Sequence, residues 1–308
     1  MKTQARGGAS SHPGLALLIL SALGLLACGR SQVGTVPEDA PWIVALPPTH
    51  APADPAALAS ALSAAAAHPI ELRLLPSQQA VMALAGSSEA DAFLTPLFDY
   101  FFCVHEYDAH AVLQTVRAGG SRSYRGEIAA LRGGPVARLE DLADRTVAFV
   151  DRQSTSGFIL PELLLARAGV SVTPLFAGTP EAAVAELRAG RAAAAALRHG
   201  AVEGASDLVV LATTPEIPNE PLWVRAGFPP EARDRLARAF TDVAASADGA
   251  RLFAGVANVV GFTRVDPRVY VETHAAVEQV GKRVADLVPG GWWIRHHNAA
   301  QPGDLGPY

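Results

Sequence analysis

Val147-Ala148-Phe149-Val150-Asp151-Arg152-Gln153-Ser154-Thr155-Ser156-Gly157-Phe158-Ile159-Leu160-Pro161 runs from an apolar β-like stretch through a hydroxyl-rich turn into the start of a helix. Strand, turn and helix in that order form the unit from which parallel sheets are built. The turn also carries chemistry. The first N–H groups of a helix lack intrahelical partners and stand at the positive end of its dipole, so they suit an anion. Ser154, Thr155 and Ser156 add hydroxyl donors, and Gly157 leaves the backbone open to close approach. The same residues also serve as plain helix caps, and the physics of the turn alone leaves both uses open.

The rhythm extends in both directions. Downstream, the helix Phe158 to Ala168 ends at Gly169, a strand spans Val172 to Phe176, and a helix spans Pro180 to Ala189 with Thr179 as N-cap and Gly190 just past its end. Ala192 to Leu197 and Leu208 to Ala212 read as further strands, and Leu222 to Val224 leads out of the unit. Upstream, Trp42 to Leu46, Ile70 to Leu75 and Ala90 to Leu94 read as strands, separated by helices at Pro55 to Ala67 and Gln78 to Ala85. Two similar α/β units thus stand in series, with a mixed segment between them. Glu231 to Ala247 then places Leu236, Ala239, Phe240, Val243 and Ala244 on one helix face, and a second helix runs roughly from Pro267 to Leu287. Coming after the second unit, these helices are expected to return to the first. The expectation is an α/β protein of two lobes, residues 41–122 plus 225–290 and residues 123–224, each a mostly parallel sheet flanked by helices. Two crossover segments near Arg122 to Leu131 and Leu211 to Val224 join them, and ligands in such architectures occupy the cleft between.

The N-terminus belongs to no lobe. Lys2 and Arg6 precede an apolar run from Gly14 to Leu26 that is short for a membrane span, and Leu25-Leu26-Ala27 leads directly to Cys28. Residues 1–27 read as a lipoprotein signal peptide, Cys28 as the lipid-bearing residue, and 28–40 as a flexible tether. The expected location is the cell envelope, with the membrane as a partner through Cys28. The whole chain carries a net charge of −5; without the two cations of the leader it is −7, which excludes the basic footprint of a nucleic-acid binder. Besides Cys28 the only cysteine is Cys103, so stability rests on packing and not on a disulfide.

Several short pieces recur together in one order. They are Ala90-Asp91-Ala92-Phe93-Leu94-Thr95-Pro96, Tyr124 in Ser123-Tyr124-Arg125-Gly126-Glu127-Ile128, and Leu139-Glu140-Asp141-Leu142-Ala143-Asp144-Arg145-Thr146-Val147-Ala148-Phe149. The turn Ser154-Thr155-Ser156-Gly157 through Pro161, Phe176-Ala177-Gly178, and Ile217-Pro218-Asn219 complete the set. In these, the span from Ala90 to Glu220 resembles the phosphonate, phosphite and phosphate substrate-binding proteins of ABC importers, which are type II periplasmic binding proteins. The resemblance implies a monomeric carrier that needs no cofactor, catalyses no reaction and hands a small oxyanion to an ABC permease. It implies that Ser154, Thr155, Ser156 and Tyr124 hold the oxyanion. Relatives usually have a tyrosine early in the second helix, where this chain has Gln78 or Gln79. They also tend to have an acid where Ala193 falls in Ala189-Gly190-Arg191-Ala192-Ala193-Ala194. In relatives that take aminoalkylphosphonates such acids pair with the ammonium, so Ala193 argues against that ligand class.

Thr95 and Gln78 are expected to complete the cage from the first lobe, with Thr95 alternatively bonding its own turn before Pro96. Asn219 reads as crossover-turn chemistry, and Phe98, Tyr100, Phe101 and Phe102 as core. His105-Glu106-Tyr107-Asp108-Ala109-His110 and His296-His297 are too sparse a ligand pattern to support a metal site over the oxyanion reading. No serine has a nucleophile-elbow context, so an enzyme is not indicated. A sensing or scaffold lipoprotein on the same fold is the alternative reading.

Overall fold

The structure is a computed structural model that describes residues 40–152, 154–266 and 268–278. The leader, Cys28, residues 29–39 of the tether, the end of the last helix and the C-terminal extension 291–308 lie outside the described residues.

The first half opens with strand β1 (Trp42–Leu46), helix α1 (Pro55–Ala66), β2 (Ile70–Leu74), α2 (Gln78–Ser87) and β3 (Ala92–Leu94). Local chemistry sets these limits. The Asp54 carboxylate accepts from the Ala57 N–H at 3.0 Å with Pro55 at the first helical position, and Ala67 ends α1 in the left-handed region at φ 47°. Ser77 caps α2 by accepting from the Ala80 N–H at 3.2 Å. The segment left as mixed by the sequence resolves into α3 (Leu97–Tyr107), β4 (His110–Arg117), the two-residue β5 (Ser123–Tyr124) and β6 (Gly126–Leu131).

The second half continues with β7 (Thr146–Phe149), a π turn over Thr155–Ile159 that runs into α4 (Leu160–Arg167), β8 (Thr173–Phe176), α5 (Pro180–Arg188), β9 (Ala194–Arg198) and β10 (Leu208–Thr213). The chain returns through β11 (Ile217–Pro218) and β12 (Pro221–Val224) to α6 (Pro230–Ala245), α7 (Gly249–Leu252), β13 (Val259–Arg264) and α8 (Arg268–Glu278).

Two sheets result, ordered β13-β4-β12-β3-β1-β2 and β10-β6-β9-β7-β8. Four strands of the first share one direction, while the returning β12 and the edge strand β13 oppose them. In the second, only β6 runs against the other four. One boundary differs from the sequence reading. Pro221–Val224, placed there at the end of the second lobe, is inserted between β3 and β4 of the first sheet and is buried throughout. A short chain leaving β11 reaches the centre of that sheet directly, and its apolar Leu222-Trp223-Val224 is driven there by burial.

The two crossings lie side by side: β5 pairs antiparallel with β11, Tyr124 opposite Ile217 and Ser123 opposite Pro218. Around them one apolar cluster takes Phe93, Phe98, Phe101 and Trp223 from the first half, Ile159, Leu160 and Leu163 from the second, and Tyr270 from α8. Phe98, Tyr100, Phe101 and Phe102 are all buried in it, as core residues.

Candidate functional site

The hydroxyl turn sits where the sequence puts it, beyond the C-terminal end of β7. The Ser154 hydroxyl accepts from the Gly157 N–H at 3.0 Å, so the capping use is realised. The Ser154 carbonyl accepts from the N–H groups of Phe158 and Ile159, both at 3.0 Å, and the Gly157 carbonyl from the Val150 N–H at 3.2 Å, which folds the turn back onto its strand. Thr155 and Ser156 are 5% and 8% exposed.

Gly157 has a packing reason in addition to the access the sequence suggests. A Cβ there would stand 2.6 Å from Val150 Cγ2 and 2.7 Å from Ser154 Oγ. A second glycine went unread: a Cβ on Gly126 would meet the Ser156 carbonyl oxygen at 2.6 Å. The start of β6 therefore lies against the turn's backbone, held there by the Gly126 N–H donating to Thr214 Oγ1 at 2.8 Å.

Tyr124 lies beside the turn, its phenol close to the Thr155 side chain. Burial and the nearby Glu220 carboxylate push the phenol up to about 12 against the pull of Arg117, Arg198 and Thr155, so it stays protonated and able to donate. Two guanidiniums approach its ring, Arg117 at 5.1 Å and Arg198 at 4.5 Å from the centroid. Arg117 is fully engaged: Nη2 meets both Glu220 oxygens at 2.7 Å, Nη1 donates to the Asn219 side chain, and Nε to the Ala257 carbonyl at 3.3 Å. Glu220 is 3% exposed. Burial raises its pKa, but the His50 ring, 3.7 Å away, and the Arg117 guanidinium together outweigh that and hold the carboxyl down at about 2. Asn219 is the crossover lock that its turn context suggests, donating to the carbonyls of Thr115 at 3.0 Å and Ser121 at 2.9 Å.

The first-half candidates are oriented otherwise. Thr95 is fully buried. Its hydroxyl accepts from the Trp223 indole at 3.0 Å and faces the Pro96 carbonyl at 3.4 Å, the local bonding weighed against ligand contact. Gln78, buried at the start of α2, donates to the Asp99 carboxylate on the first turn of α3. Asp99 is buried, and that burial raises its pKa to about 8 in spite of the Gln78 hydrogen bond.

Ala193 needs correcting. Its N–H bonds the Thr146 carbonyl at 2.8 Å, level with the start of β7, and β9 runs parallel to β7 with Val147 opposite Ala194. It is thus at the opposite end of the sheet from the hydroxyl turn. The residue of β9 at the turn's end of the sheet is Arg198, paired across to Gly126. Glu181 is exposed on the first turn of α5. His105 lies 3.8 Å from Glu106 and His110 lies 3.9 Å from Asp108, and among the described residues no three such side chains converge on a metal position. His296 and His297 lie outside the described residues.

Sequence reasoning missed Arg117, Arg198, Glu220, Gly126 and Asp99. A half-buried arginine at a strand's C-terminal end, as in Leu197-Arg198-His199, was the one available signal, and it is a weak one alone.

A family model described as the periplasmic substrate-binding protein of phosphonate ABC transporters matches residues 43–270. No curated protein matches the chain. Among solved structures, XAC2383 from Xanthomonas citri bound to ATP superposes with a TM-score of 0.67 at 20% identity, covering 78% of this chain and 98% of that one. A binding-protein component of an ABC phosphonate transporter from Pseudomonas aeruginosa gives 0.59 at 16%, covering 80% and 88%. PhnD1 from Prochlorococcus marinus in complex with methylphosphonate gives 0.57 at 16%, covering 78% and 98%.

Proposed function

This chain belongs to the family of periplasmic substrate-binding proteins of phosphonate ABC transporters, and we propose that it captures a small phosphorus oxyanion at the Ser154–Gly157 turn and passes it to its permease. The observation that carries this reading is the placement of the Tyr124 phenol beside Thr155 of the hydroxyl turn, with two guanidiniums over its ring. Hydroxyls and an aromatic phenol can all donate, and a set of donors is complementary to a bare oxyanion while leaving a neutral ligand's own donors unpaired.

Ser154, Thr155, Ser156 and Tyr124 are the contacts proposed, with Gly157 and Gly126 allowing the turn to close up. Thr95 and Gln78 shape the first-half wall through Trp223 and Asp99, and their direct contact is given up. Since Thr155 and Ser156 are nearly buried, entry requires the halves to separate about the β5–β11 ribbon, and the ligand favours the closed arrangement by its differential affinity. We further propose that the protein is held at the membrane by lipid on Cys28 and acts as a monomer.

The test is thermal unfolding of the chain starting at Gly29 against phosphate, phosphite, methylphosphonate, sulfate, molybdate and ATP, with calorimetry on each hit. A ligand at 100 times its Kd adds about 2.7 kcal/mol and shifts the transition visibly. Stabilisation by a phosphorus oxyanion is the expected result. A cooperatively folding protein that none of the phosphorus compounds stabilises sinks the proposal, and stabilisation by ATP alone moves the site to nucleotide phosphates.

A further inference from the structure

We propose that Arg198 is the charge-bearing ligand contact of this site and sets its specificity, admitting phosphonates with a neutral or anionic substituent and rejecting those that carry an ammonium. The inference rests on the oxyanion reading above. It starts from an asymmetry between the two guanidiniums that approach the Tyr124 ring. Arg117 spends its donors on Glu220, Asn219 and the Ala257 carbonyl. Arg198 lies closer to the ring, at 4.5 Å, and no carboxylate among the described residues forms an ion pair with it. It is half-buried, and burial and the Arg117 charge both press its pKa downward. Such a cation is held in place at a cost unless an anion joins it.

Its position fits that role. Arg198 ends β9, pairs with Gly126 across the strand that backs onto Ser156, and stacks on the Tyr124 ring beside the turn. The planar guanidinium offers five donors in a fork that matches two oxygens of a phosphonate. The same charge repels an ammonium two carbons from phosphorus, and in a shielded site that repulsion is little screened.

Propylphosphonate and 2-aminoethylphosphonate share shape and differ in a methyl against an ammonium, so calorimetry with this pair isolates the charge. The wild type is expected to bind propylphosphonate at least about tenfold more tightly than 2-aminoethylphosphonate, and Arg198→Gln to weaken propylphosphonate and bring the two affinities together. Arg198→Lys should keep the preference while binding more weakly, because it keeps the charge and loses the fork. Equal wild-type affinities for the pair overturn the inference whether or not the variants fold. So does an Arg198→Gln protein with unchanged affinity and preference. If the wild type binds neither these nor methylphosphonate, the oxyanion reading itself has failed, an outcome distinct from either of those.

Discussion

At the residue scale, the two buried carboxyls of the first half carry opposite pH signatures. Glu220 has a folded-state pKa near 2 against an ordinary value of 4.5, so the stability it contributes is complete above about 4.5 and is lost as pH falls toward 2. Glu220→Gln should therefore unfold at lower temperature at pH 7 yet lose less stability over that acid range. Parallel acid titrations of the two proteins check this, and superimposable slopes would count against the assignment. Removing the partner instead, by Arg117→Met, leaves a buried carboxylate unpaired and should cost about 3–5 kcal/mol in denaturant unfolding at pH 7. Asp99 runs the other way. Its folded pKa of about 8 lies above the ordinary 3.8, so the folded state holds a proton the unfolded state has lost, and stability declines as pH rises from 3.8 to 8. Asp99→Asn should remove that decline and gain on the wild type at pH 8 and above, read from melting temperatures across the range. In the turn, Ser154→Ala with Thr155→Ala should abolish oxyanion binding and, through the lost Gly157 cap, cost about 1 kcal/mol of stability; a folded double variant with undiminished calorimetric affinity refutes the site. The hydroxyl turn was legible because its residues are consecutive. Arg117 with Glu220 was not, since the pair is separated by 103 positions and only the fold reveals it.

At the element scale, legibility followed how much of an element's reason lies within itself. The helices α1, α2 and α5 carry their own caps, and β1, β2, β7 and β9 their own apolar runs, so their positions were readable. The strands β4 and β13 were not. In His110-Ala111-Val112-Leu113-Gln114-Thr115-Val116-Arg117 polar residues fall on positions whose partners are supplied by distant chain: Gln114 donates to the Arg122 carbonyl and Thr115 to the Glu220 carbonyl. Among the described residues β13 pairs with β4 alone, so its existence depends on a strand that was itself unread. Ala193 misled for a related reason, because a position within a motif does not say which end of a strand faces the ligand. The contact between β6 and the π turn offers a direct test. Gly126→Ala puts a methyl 2.6 Å from the Ser156 carbonyl, a backbone atom that cannot swing aside. The strand or the turn must shift, at about 1–3 kcal/mol by analogy with overpacked cores, and oxyanion affinity should fall with it. A variant that matches the wild type in both melting temperature and affinity would show that the turn tolerates displacement and that its exact placement does not govern binding.

For the molecule as a whole, the two sheets of the first and second halves are joined into one compact unit among the described residues. The reason lies at the crossings. Ile159, Leu160 and Leu163 from the start of α4 enter the same apolar cluster as Phe98, Phe101 and Trp223, and Tyr270 of α8 donates to the Asn219 carbonyl at 3.1 Å from beside them. Neither half can bury these groups alone, and exposing a cluster of aromatic and aliphatic side chains on opening would cost more than either sheet's marginal stability returns. On the proposed oxyanion reading, separation for ligand entry is expected on the polar side, around Tyr124 and the hydroxyl turn, while the apolar cluster holds. The expected outcome is a single unfolding transition, with the calorimetric enthalpy equal to the van't Hoff enthalpy. Leu160→Ala, although it lies in the second half, should lower that one transition by about 2–5 kcal/mol and leave it unsplit, because the cavity forms in the core both halves share. Two resolved transitions in the wild type, or a Leu160→Ala protein in which only one of two moves, would mean that the halves fold independently and that the shared cluster is an interface and not a core.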